Sequence, residues 1–191
     1  MIYLNNLIWQ TASILSWDIS EGENLPSIDG SDVTFDTTKP FEISTEQCIP
    51  DLLKEFSFEF VLPKFNDSSM LTVGLKSDIS YVQFCCGTGE ISDDKGILRE
   101  VDPINEHSVI CCHLSRFDLF DKNYQFLSFQ LNDLYIGSWI IKGTNLKPVI
   151  SYKSSREAIG RSEIKSYLGN CRNEFDTGKF QITLLVIPFL I

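Results

Sequence analysis

The segment from Ser108 to Tyr152 constrains the fold most, because short apolar runs alternate there with tight turns. Residues 125–131 largely alternate between apolar and polar side chains, and the tight turn Asn132-Asp133 leads from them to residues 135–139. Two turn-forming residues between alternating runs are typical of a β-hairpin. Residues 108–114 are apolar on both faces, which predicts a central strand that is covered on both sides.

Most of the remaining chain repeats this pattern of strand and turn. Residues 56–62 and 70–75 look like an antiparallel pair, a Gly- and Asp-rich loop is expected at 87–96, and residues 154–165 suit a short helix or a loop. Many short strands with scarce helical signal predict an all-β fold, an antiparallel β-sandwich of two sheets. Further strands are predicted at residues 33–35, 40–43, 81–86 and 146–152.

Length and charge restrict the function classes. The chain has 191 residues, which suits one domain, and a net charge of −10 with no cluster of Lys and Arg. A nucleic-acid partner is not expected, because such affinity rests on cations that neutralise phosphates. The apolar C-terminal segment, residues 180–191, contains Pro188 and is shorter than the roughly 20 residues that cross a bilayer. It is interpreted as a buried strand or a truncated end, and a cytoplasmic protein is expected.

Six cysteines include two adjacent pairs, Cys85-Cys86 and Cys111-Cys112. Neighbouring residues of a strand point to opposite faces, so an adjacent pair does not converge on one metal ion. No secretion signal is visible in the first 17 residues, and a chain of this length does not need a disulfide framework. Buried, reduced thiols with no metal and no cofactor are therefore predicted.

Catalytic chemistry has little support in the sequence. His107 and His113 are the only imidazoles, and a thiol nucleophile at Cys111 or Cys112 lacks an adjoining oxyanion-forming turn. Gly87-Thr88-Gly89 is too short for a phosphate-binding loop. The acidic residues 90–94 lack the alternating ligands of a calcium loop. The chain is not expected to be an enzyme.

Several pieces, taken in order, resemble the SPRY domain. The run 109–112, the hairpin 126–137 and the run 146–151 are similar to the family's "gDvIGc", "i.Ft.NG..lG.aF" and "lyPvvsl" segments. Upstream and downstream, Phe58-Glu59-Phe60, residues 71–75 and residues 164–170 are similar to "YyFEv", "..vGl" and "vkvNFG". Asn132-Asp133 replaces the family's Asn-Gly and His107-Ser108 its Gly-Asp, so the chain resembles a divergent member.

The resemblance implies a concanavalin-like jelly roll of two bent sheets. Such domains are mostly non-catalytic modules that present loops at one end of the sandwich to a protein or peptide, often in ubiquitin-ligase adaptors and scaffolds. On this basis residues 1–27 are expected to be an extension packing on the sandwich, 28–178 the domain, and 179–191 the apolar strand or truncated end. A carbohydrate-binding, lectin-like sandwich is the alternative, because the same architecture hosts sugar sites.

The resemblance also implies a partner-binding pocket. The family's pocket positions fall on Lys39, Pro40, Ser77, Tyr81 and Ser154. Tyr81 is the strongest of these, since an exposed aromatic ring gives a large and rigid contact, although a core position for Tyr81 is an equal alternative. Ser154 stands where peptide-binding members carry Trp, which argues against the same peptide specificity. Trp139 is expected in the core, and Trp9 and Trp17 are expected to pack across the sandwich.

Overall fold

The computed structural model describes residues 15–19, 24–30, 32–62, 71–101, 108–117, 123–153 and 161–169. Across these ranges thirteen strands form, and none of the described residues belongs to a helix long and apolar enough to cross a membrane. The strands are β1 (Ser27–Asp29), β2 (Asp32–Asp36), β3 (Phe41–Ser44), β4 (Glu55–Val61), β5 (Leu71–Lys76), β6 (Tyr81–Cys85), β7 (Glu90–Asp93), β8 (Gly96–Glu100), β9 (Val109–Ser115), β10 (Tyr124–Leu131), β11 (Leu134–Lys142), β12 (Lys147–Tyr152) and β13 (Arg161–Leu168).

The strands form two antiparallel sheets. The first sheet has the order β1-β2-β13-β4-β9-β10-β11, and the second has the order β3-β12-β5-β6-β7-β8. Every paired strand is antiparallel to its neighbour within both sheets. The predicted all-β antiparallel sandwich is confirmed.

One hydrophobic core lies between the sheets. Phe56, Phe58 and Phe60 of β4 are buried in it, as the period-two pattern predicts, together with alternate residues of β5 and β6. Burying such side chains contributes roughly 1.5–3 kcal/mol each. Trp17 also enters the core: it bridges to Thr45, and its indole N–H donates to the Ser166 hydroxyl at 2.9 Å. Trp9 lies outside the described residues.

β9 is the central, covered strand that the sequence predicts. It lies between β4 and β10, and the five residues from Ile110 to Leu114 are all buried. Cys112 belongs to the hydrophobic core, whereas Cys111 faces the other side of the sheet. Trp139 of β11 was expected in the core. It is partly buried against the core and packs on Phe129, with ring centroids 5.9 Å apart.

The expected pairing of residues 56–62 with 70–75 is wrong. β4 lies in the first sheet and β5 in the second, so they contribute to the same core from opposite sides. β4 pairs instead with β13 and β9, and β5 pairs with β12 and β6. Alternation identifies which face of a strand is buried, but it does not identify the neighbouring strand.

The expected loop at residues 87–96 is also corrected. β7 occupies residues 90–93, and β8 forms the edge of the second sheet, with all five residues exposed. An exposed edge strand buries neither face, so it carries no hydrophobic alternation by which it could be recognised. The predicted helix or loop at 154–165 is wrong for residues 161–165, which belong to β13; residues 154–160 lie outside the described residues.

The Asn132-Asp133 turn has the predicted geometry. Both residues have positive φ, 48° and 66°, as in the turn that favours Asn-Gly. Asn132 fits well, because its side-chain oxygen accepts a hydrogen bond from the Val109 amide at 2.9 Å. A side chain at Asp133 is disfavoured in this conformation.

We expect Asp133→Gly to raise the free energy of unfolding by about 1 kcal/mol, because glycine adopts positive φ without a steric cost. Urea denaturation measures the change. A decrease in the free energy of unfolding would show that the Asp133 side chain does not strain the turn.

Candidate functional site

The residues of the predicted pocket lie at two opposite ends of the second sheet. Pro40 immediately precedes Phe41, which pairs with Tyr152, and Tyr152 pairs in turn with Leu71 at the start of β5. Lys39 and Pro40 are therefore at the Leu71 end, and both are exposed. We call this end, where the chain turns from β2 into β3, the β2–β3 end.

Ser77 and Tyr81 lie at the other end of β5. Tyr81 pairs with Lys76, the last residue of that strand, and Ser77 follows it. Six residues of extended strand separate the two groups by roughly 20 Å. The expectation of one pocket built from Lys39, Pro40, Ser77 and Tyr81 is thus wrong, because strand register holds the two pairs apart. Ser154 lies outside the described residues.

Ser77 holds the β5–β6 turn through hydrogen bonds of its hydroxyl. Its side chain is buried, and its hydroxyl donates to the Lys142 carbonyl at 2.6 Å and accepts the Ser80 amide at 2.8 Å. Nearby, the Asp78 carboxylate accepts the Thr144 amide at 2.7 Å. The β5–β6 turn of the second sheet is thereby tied to the end of β11 in the first.

We expect Ser77→Ala to lower the free energy of unfolding by about 2 kcal/mol, because the Ile79 and Ser80 amides lose the hydroxyl that accepts their hydrogen bonds. Urea denaturation measures the loss. Thr38→Ala at the opposite, exposed end is the control and is expected to cost about 1 kcal/mol or less. An unchanged stability for Ser77→Ala would show that its hydroxyl does not hold the turn, and would return Ser77 to the candidates for direct partner contact.

Tyr81 lies on the outer face of the second sheet. Val82 and Phe84 are fully buried, so the alternating Tyr81, Gln83 and Cys85 point away from the core, and each is partly buried. This placement removes the alternative that Tyr81 belongs to the core. A contact between Tyr81 and a partner stays a prediction, now at the end of the sheet opposite Lys39 and Pro40.

The turn that carries Lys39 is fixed from both sides. The Lys39 amide donates to the Asp36 carbonyl at 3.1 Å, and the Thr38 amide and hydroxyl donate to the Asp36 carboxylate at 2.9 and 2.7 Å. From the core side, the buried Tyr152 hydroxyl donates to the Thr37 carbonyl at 3.1 Å. The hydrogen bonds from Thr38 hold the pKa of the Asp36 carboxyl below its ordinary value. Lys39 and Pro40 are therefore presented on a firmly held turn.

A cleft of about 370 Å³ adjoins this turn. Arg161, at the start of β13, pairs with Asp36 in the sheet, which places their side chains next to each other. The cleft joins these charged groups to residues of β1, of β2 and of the segment that leads into β1. It is lined by Asn24, Leu25, Ser27, Thr34, Phe35, Asp36, Lys39 and Arg161.

His113 is buried in the middle of β9, on the face that points away from the core. Its Nδ1 atom lies 2.7 Å from the Ser57 hydroxyl, and Ser57 is its cross-strand partner. Burial lowers the pKa of His113, and the nearby Glu55 opposes that effect in part. A satisfied polar group was the favoured interpretation of this residue, and the contact with Ser57 agrees with it, although the position is central in the strand and not at its end.

Acid should therefore weaken the fold through His113. A pKa that is lower in the folded chain than its ordinary value near 6.5 means that the unfolded chain binds the proton first. The stabilising contribution is full above that pH and is lost as the pH falls through it towards the folded pKa. We expect His113→Gln to flatten the fall in unfolding free energy between about pH 7.5 and 5.5, as measured by urea denaturation. An identical pH slope in the variant would contradict this role.

The cysteines of the described residues are free thiols. Cys86, Cys111 and Cys112 are buried, and burial raises the pKa of Cys86 and Cys112 well above the ordinary value. Cys48 and Cys85 are partly buried. Within the described ranges no three His, Cys, Asp or Glu side chains are grouped so that they could hold a metal ion. Cys171 lies outside these ranges.

Comparison with known proteins tests the fold. No family model and no curated protein matches the sequence. Among solved structures, a human SPRY domain matches with a TM-score of 0.59 at 13% identity, over 83% of this chain and 99% of that one. The SPRY domain of human HERC1 also matches with a TM-score of 0.59, at 12% identity, over 82% of this chain and 100% of that one. The chain has the fold of a SPRY domain.

A weaker likeness is to the exoplasmic/lumenal domain of VIP36 in its form bound to Ca²⁺ and Man₃GlcNAc. That TM-score is 0.47 at 10% identity, over 87% of this chain and 88% of that one. The low identities to the SPRY domains agree with the divergent sequence, in which Asn132-Asp133 stands for the family's Asn-Gly.

Sequence reasoning missed part of the cleft of this SPRY-type sandwich. Lys39 was identified, but Arg161 fell in a stretch interpreted as helix or loop, and Leu25 fell in the expected extension. Arg161 reaches the cleft because β13 pairs with β2, a contact between residues about 125 positions apart in the chain. The one local signal for this site was the Asp36-Thr37-Thr38 turn, whose polar residues favour side-chain hydrogen bonds to the backbone.

A second exposed surface lies on the outer face of β10 and β11. Phe117 packs edge-on against Phe126, Phe126 pairs with Ile140, and the Lys142 ammonium lies 5.7 Å from the centre of the Tyr124 ring. Phe117, Tyr124 and Ile140 are exposed, Ile140 at 50%. We call these five residues the outer aromatic patch. Because it lies far along the first sheet from β1 and β2, it provides a control surface for tests of the cleft.

Proposed function

We propose that this chain is a non-catalytic protein-interaction module that binds a protein or peptide at its β2–β3 end. Two observations support the proposal: the likeness to SPRY domains over nearly their whole length, and a cleft beside a firmly held, exposed turn. The cleft is the main observation in favour of this site, because it places the exposed Lys39 and Arg161 beside the partly buried Leu25 at one end of the sandwich.

The Asp36–Lys39 turn is held by Asp36 from within and by the Tyr152 hydroxyl from the core. A partner that contacts Lys39 and Pro40 therefore does not have to order this segment, and less binding free energy is lost to conformational entropy. Loops on a rigid scaffold vary in sequence without disturbing the core, which suits recognition.

The cellular setting belongs to the same proposal. The resemblance to SPRY domains supports a scaffold or a ubiquitin-ligase adaptor in the cytoplasm, and the identity of captured proteins tests it. The alternative of carbohydrate binding is not favoured by a specific arrangement of the described residues. A glycan array with the same protein would reveal it directly.

The test is affinity capture from the native cell followed by mass spectrometry, with matched bait variants. A cleft bait carries Lys39→Glu and Arg161→Glu, a bait for the opposite end carries Tyr81→Ala, and a patch bait carries Ile140→Asp. All three replace side chains that are exposed or partly buried, and thermal unfolding of each bait confirms that it is folded. We expect the cleft bait alone to lose, by at least tenfold, proteins that the wild-type chain captures.

Other outcomes are informative. If the Tyr81→Ala bait loses the partners and the cleft bait keeps them, the module binds at the opposite end of the second sheet, and the site proposed here is wrong. If Ile140→Asp alone loses them, binding occurs through the outer aromatic patch. If no folded variant changes the captured set, the interaction does not use these surfaces, and the proposal fails.

A further inference from the structure

We propose that the cleft at the β2–β3 end binds one side-chain carboxylate of the partner, held between Lys39 and Arg161. The inference rests on the proposed function and names the chemistry of its ligand. The chain as a whole carries a net charge of −10 and by that measure suits a basic or neutral partner. The residues that line the cleft, in contrast, include more positive than negative side chains.

The cations of the cleft outnumber its anions. Lys39 and Arg161 line it, and Asp36 is the one carboxylate among the lining residues. Asp36 already accepts both hydrogen bonds from Thr38, and the Lys39 ammonium lies 3.8 Å from it, beyond hydrogen-bond distance. In the part of the chain that the structure describes, the Arg161 guanidinium forms neither a hydrogen bond nor a close ion pair.

Two further acidic residues, one on β13 and one on β2, pair with Lys165. Glu163, two residues along β13 from Arg161, lies 3.7 Å from the Lys165 ammonium, and Asp32 lies 3.3 Å from the same ammonium. Neither lines the cleft. Among the described residues, the charged side chains that line the cleft are Lys39, Arg161 and Asp36, which sum to one positive charge.

A single net positive charge matches a carboxylate better than a phosphate. A carboxylate brings one negative charge, which balances the cleft, and its two oxygens fit the planar fork of an arginine. A phosphate monoester brings about −1.5 to −2 near neutral pH, which leaves an excess of negative charge beside Asp36. Leu25, which is partly buried, supplies an apolar part of the lining, suited to the short aliphatic stem of Asp or Glu.

Repulsion from the rest of the chain limits how acidic the partner can be. Exposed charges further away than about 8–10 Å are largely screened at physiological salt, so one carboxylate placed in the cleft is attracted by its two cations. A segment rich in acidic residues would also meet the negative charge of the remaining surface. The cleft is suited to a mostly neutral or basic segment that carries one Asp or Glu.

The test uses three small probes: N-acetyl-aspartate α-amide, its neutral isostere N-acetyl-asparagine α-amide, and N-acetyl-phosphoserine α-amide. Each is titrated into the whole ¹⁵N-labelled chain, and backbone amides and the Arg161 Nε–H are followed by NMR. We expect the aspartate probe to shift Arg161, Lys39 and Thr34 with saturation, and the asparagine probe to bind at least tenfold more weakly. Arg161→Gln is expected to weaken the aspartate probe about tenfold, whereas Lys142→Gln in the outer aromatic patch leaves it unchanged.

Each contrary result overturns the inference. Equal binding of the aspartate and asparagine probes, absence of saturable shifts at the cleft, or indifference to Arg161→Gln would remove the carboxylate. Tighter binding of the phosphoserine probe would assign a dianion instead. These failures are separable from failure of the proposed function: a cleft bait that loses its partners while the probes show no carboxylate preference refutes only the ligand chemistry. Probe binding at the cleft with unchanged capture by the cleft bait refutes only the cleft as the partner's binding site.

Discussion

Gly74→Ala is expected to lower the free energy of unfolding by about 3 kcal/mol, at the upper end of what overpacking costs. A β-carbon at Gly74 would lie 2.2 Å from the Val82 carbonyl oxygen and 2.8 Å from the Gln83 α-carbon. Both atoms belong to the backbone of β6, so relief requires that two hydrogen-bonded strands of the second sheet separate. With total stabilities of roughly 5–15 kcal/mol for such domains, the midpoint of urea unfolding should move visibly.

Gly137→Ala is the matched control, since it is the same substitution in a strand of the other sheet. There the β-carbon would lie 2.6 Å from the Cη2 atom of Trp139, a side-chain atom that can move because Trp139 is only partly buried. We expect a loss of about 1 kcal/mol. Equal losses for the two variants would show that close backbone approach does not explain Gly74. The presence of glycine at position 74, in the "..vGl" motif, would then have another cause.

Arg116→Met is expected to cost about 3 kcal/mol, because it removes the donor for several backbone carbonyls. The Arg116 guanidinium donates to the carbonyls of Pro50 and Leu53 at 2.8 and 2.7 Å and to that of Ile49 at 3.3 Å. Its side chain is 12% exposed, so water has little access to replace it. Methionine keeps the length of the side chain and loses the donors.

Arg161→Met is the control for this substitution. Arg161 is exposed and forms no hydrogen bond among the described residues, so the same change there should stay within about 0.5 kcal/mol. A second measurement is local: hydrogen exchange of the Leu53 amide, which donates to the Pro50 carbonyl, should accelerate in Arg116→Met. Unchanged exchange together with unchanged stability would contradict the role of Arg116 as the clamp of the 49–54 segment.

Much of the sandwich was predictable because burial alternates along its strands. The alternation of Phe56, Phe58 and Phe60 predicted β4. The apolar run around Cys112 predicted β9, and the turn residues Asn132-Asp133 predicted the hairpin between β10 and β11. In each case the signal is local, within one strand or one turn. β8 escaped prediction because an exposed edge strand imposes no alternation on the chain. β7, which lies between β6 and β8, has four residues and buries only Ile91 fully, so it carries little alternation either.

The candidate site was predictable only in part. Lys39 and Pro40 were found through resemblance, and the structure places them at an exposed, well-held turn. The same resemblance grouped them with Ser77 and Tyr81, which register separates from them by the length of β5. Arg161 joins Lys39 through the pairing of β13 with β2, and no local pattern in residues 154–165 announces that contact.

The sequence by itself therefore determined the fold class, most of the strands and the buried face of each, since all of these follow from side-chain period and turn chemistry. Only the tertiary structure decided which strands are neighbours. Alternation shows which face of a strand is buried, but many strands with the same alternation could be its neighbour. Which strand becomes the neighbour depends on contacts between residues far apart in the chain. Because of this pairing, β4 and β5 lie in different sheets, and Tyr81 lies at the end of the second sheet opposite Pro40. For the same reason Arg161 lines the same cleft as Lys39.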